Sequence, residues 1–221
     1  MSAQARAVRI AAGRAALDGD LSLPKDAGSV VVFAHGSGSS RHSSRNRYVA
    51  QELRRAGLGT LLMDLLTAEE EEVDARTAHL RFDIGLLAQR LEAATDWLRA
   101  DPQTSGMAIG YFGASTGGGA ALVAAADRPE DVGAVVSRGG RPDLAGAALP
   151  RVKAPTLLIV GGRDEPVIAM NREALAQLRC EKRLEIVPGA THLFEEPGTL
   201  EVVARLAAGW FESHLVGGPS R

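Results

Sequence analysis

Apolar residues along this chain fall into two kinds of segment that alternate almost without interruption. The first kind is a short unbroken run: Ser29–Ala34 (SVVVFA), Gly59–Leu65 (GTLLMDL), Met107–Phe112 (MAIGYF), Val132–Ser137 and Pro155–Val160 (PTLLIV). Runs of that length without a polar alternate suit strands buried on both faces, as in a parallel sheet covered by helices. The second kind repeats every three or four residues. In Arg76–Ala100, positions Leu80, Ile84, Leu87, Leu91, Ala94 and Leu98 form one helical face, ended by Asp101-Pro102. Helices are also predicted near Tyr48–Ala56, Thr116–Ala126, Glu165–Leu178 and Gly198–Leu215, with a last strand at Arg183–Val187. Before the first central strand, Arg6–Leu23 reads as an antiparallel strand pair turning at Asp18-Gly19-Asp20.

About six central strands joined by helical crossovers predict an α/β fold, a doubly wound and mostly parallel sheet with helices on both faces. No repeat, linker or composition shift divides the chain, so residues 1–221 are read as a single domain. The acidic run Glu69–Glu72 sits between packed elements and reads as a solvated loop or helix start. The last residues, GGPSR, read as a frayed end.

Composition narrows the function classes. Apolar residues make up 45% and charged residues 24%, ordinary globular values that exclude disorder for the bulk of the chain. Net charge is -2, which argues against a nucleic-acid partner. No apolar run is long enough to span a membrane, and MSAQARAVRI lacks the core of a signal peptide. The single cysteine, Cys180, allows no internal disulfide and fits a cytoplasmic location. Lysine occurs only at positions 25, 153 and 182 among 25 basic residues, a bias of GC-rich bacterial coding.

Against that background one motif carries chemistry. Gly113-Ala114-Ser115-Thr116-Gly117 fits G-x-S-x-G, following a predicted strand and opening a predicted helix. A serine on so sharp a turn is strained, and glycines two before and two after keep neighbouring backbone from colliding with it. Three further loops follow predicted strands. His35-Gly36-Ser37-Gly38 could supply an N–H to an oxyanion hole, from Ser37 or alternatively Gly38, with Thr116 supplying the other. His35 itself reads as a structural residue that ties this loop.

Asp164, in Gly161-Gly162-Arg163-Asp164, suits the orienting acid of a triad, although it could equally cap the helix starting at Glu165-Pro166. Asp143 is the alternative acid. His192, in Pro188-Gly189-Ala190-Thr191-His192, suits the base; His42, His79 and His214 lie on a polar loop, a helix and the C-terminal region. The order Ser115, Asp164, His192 is the one an α/β-hydrolase requires. Arg41, Arg138 and Arg141 lie near the same strand ends. They could bind an anionic substrate group, with Gly38, or simply pair with surface acids.

These four motifs resemble the α/β-hydrolase superfamily over nearly the whole chain. HGSGSS, GASTGG, GGRDEPV and GATHLF look most like the dienelactone hydrolase family. Enzymes acting on dienelactone carry a cysteine nucleophile, whereas this chain has Ser115 and its only cysteine lies far from the elbow. The resemblance therefore implies an α/β-hydrolase fold and a serine carboxylesterase-type enzyme. Its partners are a small-molecule ester and water, with neither metal nor cofactor, and its oligomeric state is open. The same triad would serve a lactone hydrolase, an acyltransferase or a thioesterase. Two rivals lie outside these: a nucleotide-binding protein, for which the chain has no G-x-x-x-x-G-K-[ST], and a non-catalytic relative, in which a triad residue would be lost. Where many α/β-hydrolases insert a lid, the stretch 137–155 is too short for one. That implies an open crevice, shaped by the short segment 141–149 and by loops at 41–47 and 67–74, and soluble short-acyl substrates.

Overall fold

A computed structural model of the protein describes residues 5–216, so the C-terminal GGPSR lies outside the described residues. Eight strands form one sheet: β1 (Arg6–Ala12), β2 (Ala15–Ser22), β3 (Ser29–Ala34), β4 (Gly59–Met63), β5 (Ala108–Ala114), β6 (Val132–Arg138), β7 (Thr156–Gly161) and β8 (Lys182–Val187). Their spatial order is β1-β2-β4-β3-β5-β6-β7-β8. From β4 to β8 every pairing is parallel, and β1 and β2 extend the sheet antiparallel. The helices are α1 (Ser44–Arg55), α2 (Ala68–Thr77), α3 (Ile84–Ala100), α4 (Thr116–Asp127), α5 (Glu165–Gln177) and α6 (Thr199–Leu215).

The unbroken apolar runs arise because both sheet faces are covered. Val30, Val32 and Ala34 of β3 face a core shared with α3, α4 and α5, while Val31 and Phe33 face a second core shared with α1 and α6. This is the α/β-hydrolase architecture, with no lid: between β6 and β7 lies only a 3-10 segment, Pro142–Arg151, kinked at Gly146. Among the described residues no helix is long and apolar enough to cross a membrane.

Three local expectations are corrected. The β1–β2 turn lies at Gly13-Arg14, where Gly13 has φ +63°, and Asp18-Gly19-Asp20 lies inside β2. The two acids lie on the solvated face of β2, which is paired on both sides by β1 and β4, and that polar pair around a glycine mimicked a turn. The long helix is broken: α2 ends at Ala78 in a left-handed cap, a 3-10 turn spans Leu80–Phe82, and α3 restarts under an Asp83 cap that accepts the Leu86 N–H. The stretch 67–74 is not a loop but the start of α2. Thr67 and Glu70 form its capping box, and Glu69–Glu71 sit at the favourable positive end of the helix.

Candidate active site

All the motif loops lie at the C-terminal ends of parallel strands, the edge where doubly wound sheets bind ligands. Ser115 links β5 to α4 with φ 51° and ψ −122°, a conformation that glycine tolerates and serine does not prefer. The turn fits because its flanking glycines have no room for a side chain. A Cβ on Gly113 would collide with the backbone of Gly117 and Gly118, and one on Gly117 with the carbonyls of Ala34 and His35. That second approach brings the start of α4 against the loop after β3. The Ser115 N–H donates to the Arg138 carbonyl at 3.3 Å, and the Ser115 carbonyl accepts from the Arg141 N–H at 3.0 Å.

Asp164 and His192 come together from adjacent loops. His192 Nδ1 is 2.6 Å from Asp164 Oδ2. The imidazole is 38% exposed and the carboxylate 13%, so the ring presents its far side outward while its partner is shielded. The two loops are tied by their backbones: Gly162 N–H to the Val187 carbonyl at 2.8 Å and Arg163 N–H to the Ala190 carbonyl at 2.9 Å. The Asp164 side chain makes no helix-capping hydrogen bond, although it does precede α5. Asp143 instead accepts both Nε and Nη2 of Arg141, at 2.8 and 2.7 Å, and is not turned to the histidine. The loop after β6 bridges the Ser115 turn and the His192 loop, since Arg138 and Arg141 bond the Ser115 backbone and a Cβ on Gly139 would lie 3.2 Å from the His192 carbonyl and 3.6 Å from its ring.

The loop after β3 forms a turn closed by Ser39 N–H to the Gly36 carbonyl at 3.2 Å. Gly36 lies so near the elbow that a Cβ there would be 3.1 Å from Ser115 Cβ. Thr116 is the first residue of α4, where an N–H has no intrahelical acceptor, and the Ser37 N–H donates to no backbone carbonyl among the described residues. His35 is buried and holds this loop: its Nε2 accepts the Leu65 N–H at 3.0 Å and its Nδ1 donates to the Gly36 carbonyl at 3.0 Å. Burial pushes its pKa down, against smaller opposing effects of the Gly36 carbonyl and Asp64.

A cavity of about 500 Å³ opens beside these residues, reaching from Ser37, Gly38 and Thr116 to Leu65, Leu66 and Leu87. Its far wall is α2 and the turn after it, with Glu71, Asp74 and Arg81. Burial, then Asp64 and Asp74, raise the pKa of Glu71, opposed by Arg41 and Arg81. These wall residues were not singled out in the sequence; the only available signal was the placement of 67–74 at the crevice rim. Of the arginines that were, Arg41 hydrogen-bonds Asp64 and lies 3.6 Å from Asp20, and Arg141 holds Asp143. Neither lines the cavity, and neither does Arg138, which is buried at the end of β6. Among the described residues no three His, Cys, Asp or Glu side chains converge as a metal site. Cys180 lies at the opposite edge of the sheet, its Sγ 3.7 Å from Thr156 Oγ1 at the start of β7, and burial raises its pKa.

The family model for the dienelactone hydrolase family matches residues 17–211. A dienelactone hydrolase from Anabaena variabilis is 66% identical, over 97% of this chain and 100% of that one, with a TM-score of 0.96. XC6422 of Xanthomonas campestris, described as an α/β serine hydrolase without lid, shares the fold at 22% identity, covering 98% of this chain and 97% of that one, TM-score 0.75. A protein of Mycobacterium tuberculosis provisionally named a phosphoribosyl transferase is 60% identical over 96% of this chain, but this chain spans only 47% of that protein's length. The chain belongs to the dienelactone hydrolase family and has the α/β-hydrolase fold.

Proposed function

We propose that the protein is a cytoplasmic serine hydrolase that cleaves small carboxylic esters through an acyl-enzyme on Ser115. The observation that carries this reading is the 2.6 Å contact between His192 Nδ1 and Asp164 Oδ2, at the same sheet edge as a serine on a strained strand-to-helix turn. Ser115 Oγ attacks the ester carbonyl as His192 Nε2 takes its proton. Asp164 fixes the tautomer and stabilises the imidazolium. The N–H groups of Ser37 and Thr116 hold the oxyanion, and the positive end of α4 adds to them. His192 returns its proton to the departing alkoxide. Water then cleaves the acyl-enzyme by the same steps, releasing the acid and regenerating the Ser115 hydroxyl.

The test is hydrolysis of 4-nitrophenyl acetate and labelling by a fluorophosphonate probe, each compared with Ser115→Ala. Loss of both in the variant is expected. Undiminished turnover by Ser115→Ala would overturn the mechanism.

A second reading, lactone hydrolysis by the same triad, draws support from the two-thirds identity to the Anabaena variabilis dienelactone hydrolase. A lactone is an internal ester, so a series of five- and six-membered lactones in the same assay compares the two. The transferase name belongs to a protein about twice as long. Pyrophosphate release from phosphoribosyl diphosphate and a nucleobase tests whether any such activity resides in this chain.

A further inference from the structure

Five titratable side chains are buried among the described residues, and four, including Tyr111 with its hydroxyl 2.6 Å from Thr95 Oγ1, have partners that account for them. His35 is neutralised by burial and bonded at both ring nitrogens. Asp74 is held by Arg81 and by the N–H groups of Leu80 and Arg81. Arg90 reaches Glu70 at 2.6 Å and the Ala12 carbonyl at 3.0 Å. Arg138 is the exception. It is 6% exposed, yet no carboxylate of the described residues lies within ion-pair distance. Its guanidinium has Asn46 Oδ1 at 3.3 Å and the Phe194 ring at 5.8 Å, and its Nε is buried without any acceptor.

The charge that acts on it is no partner, because it is another cation. Burial and Arg45 push the Arg138 guanidinium down to about 10, which still leaves it protonated at neutral pH. Arg45 also has a buried, unpartnered Nε, and its one acid, Glu195 at 3.3 Å, is 63% exposed. Both arginines meet the first turn of α1, which contains Arg45 and Asn46 and no acidic residue. Two guanidinium groups and a helix N-terminus thus converge against one solvated carboxylate. A buried charge left this way is costly and is normally paired. The arrangement is what an incoming anion would complete.

Its position ties it to the reaction. The Arg138 carbonyl accepts the Ser115 N–H, Gly139 packs against His192, and Phe194 follows His192 by two residues. The spot lies on the α1 side of the sheet, with Phe194 in the core shared with α1 and α6, whereas the cavity is walled by Leu65, Leu66 and Leu87 of the other core. We propose that Arg138, Arg45 and the first turn of α1 form a subsite for a carboxylate or phosphate group carried by the substrate, on the side of the triad away from the cavity. The proposal rests on the ester-hydrolase reading and sharpens it to anionic esters.

The experiment compares mono-4-nitrophenyl adipate with its methyl ester, which differ only in the distal charge. Wild type is expected to favour the free acid at least tenfold in kcat/KM, mainly through KM. That ratio should fall at least tenfold in Arg138→Met and about threefold in Arg45→Gln, with Arg138→Lys retaining part of it. Should Arg138→Met fail to fold, Arg45→Gln carries the test. A second measurement needs no turnover: inorganic phosphate should raise the Tm of wild type and not of Arg138→Met. An unchanged ester ratio in both variants would overturn the subsite, and with a phosphate effect lost in Arg138→Met it would mean an adventitious ion only. A phosphate effect that persists in Arg138→Met would also overturn it. If Ser115→Ala hydrolyses both esters like wild type, the serine mechanism fails, and the phosphate arm alone then decides the Arg138 site.

Discussion

The backbone N–H of Ser115 donates to the carbonyl of Arg138 at 3.3 Å, fastening the elbow to the end of the neighbouring strand while Ser115 holds φ at 51°. The strain of that conformation is of order 1–3 kcal/mol, borne by the surrounding backbone bonds. Ser115→Gly would relieve it, at a cost of roughly 0.5–1 kcal/mol in unfolded-chain entropy. A net stabilisation of about 1 kcal/mol is therefore expected, whereas Ser115→Ala keeps the strain and should be near neutral. Urea unfolding of both variants checks this, and equal midpoints for the two would contradict it.

In the proposed mechanism Asp164 acts only through His192, whose Nδ1 lies 2.6 Å from its Oδ2. In Asp164→Asn the imidazole loses both its tautomer control and its counter-charge, and kcat should fall about 10³–10⁴-fold. KM and Tm should change little, because the carboxylate caps no helix and its loop is held by backbone bonds. A loss below tenfold would return Asp143 to consideration.

His35 links pH to stability through the loop after β3. Its folded pKa lies below the ordinary 6.5 because burial disfavours the imidazolium, so the unfolded chain binds the proton more readily. The stabilising contribution is complete above about pH 6.5 and is lost as pH falls below it. Charging Nε2 would also break its bond from the Leu65 N–H. Tm measured from pH 8 to pH 5 should fall across the lower part of that range. His35→Gln, which cannot titrate, should be less stable at pH 8 and flatter with pH.

Two buried arginines should behave oppositely when their surroundings change. Arg90 depends on Glu70, which also serves the α2 capping box. Glu70→Gln should cost about 3 kcal/mol by leaving a buried cation uncompensated. Arg138→Met removes a cation that has no counter-charge to lose, and should be neutral or stabilising by about 1 kcal/mol. Chemical denaturation of the two variants side by side makes the comparison.

How much of this was legible in the sequence depends on the range of the interactions. The parallel sheet could be read because runs such as Ser29–Ala34 are apolar on both faces, and the elbow because Gly113 and Gly117 are dictated by local backbone collisions. The order Ser115, Asp164, His192 likewise follows from chain order on a known edge. The break at Ala78 was not legible: a left-handed cap on alanine carries no sequence signal, and Leu80 continued the helical period past it. The Gly13-Arg14 turn was obscured by a stronger turn signal in β2. Pairing of arginines was least legible of all. Arg41, Arg138 and Arg141 look alike in sequence, and only packing assigns carboxylates to two of them and none to the third.

The placement of Cys180 has a practical consequence. The chain's single thiol sits beside Thr156, at the far end of the sheet from Ser115, half-buried and with its ionisation suppressed. Alkylating reagents should therefore leave turnover intact while the fold is closed. Under denaturant the same thiol becomes reactive, so the rate of its modification serves as a built-in clock for opening of the β7–β8 edge.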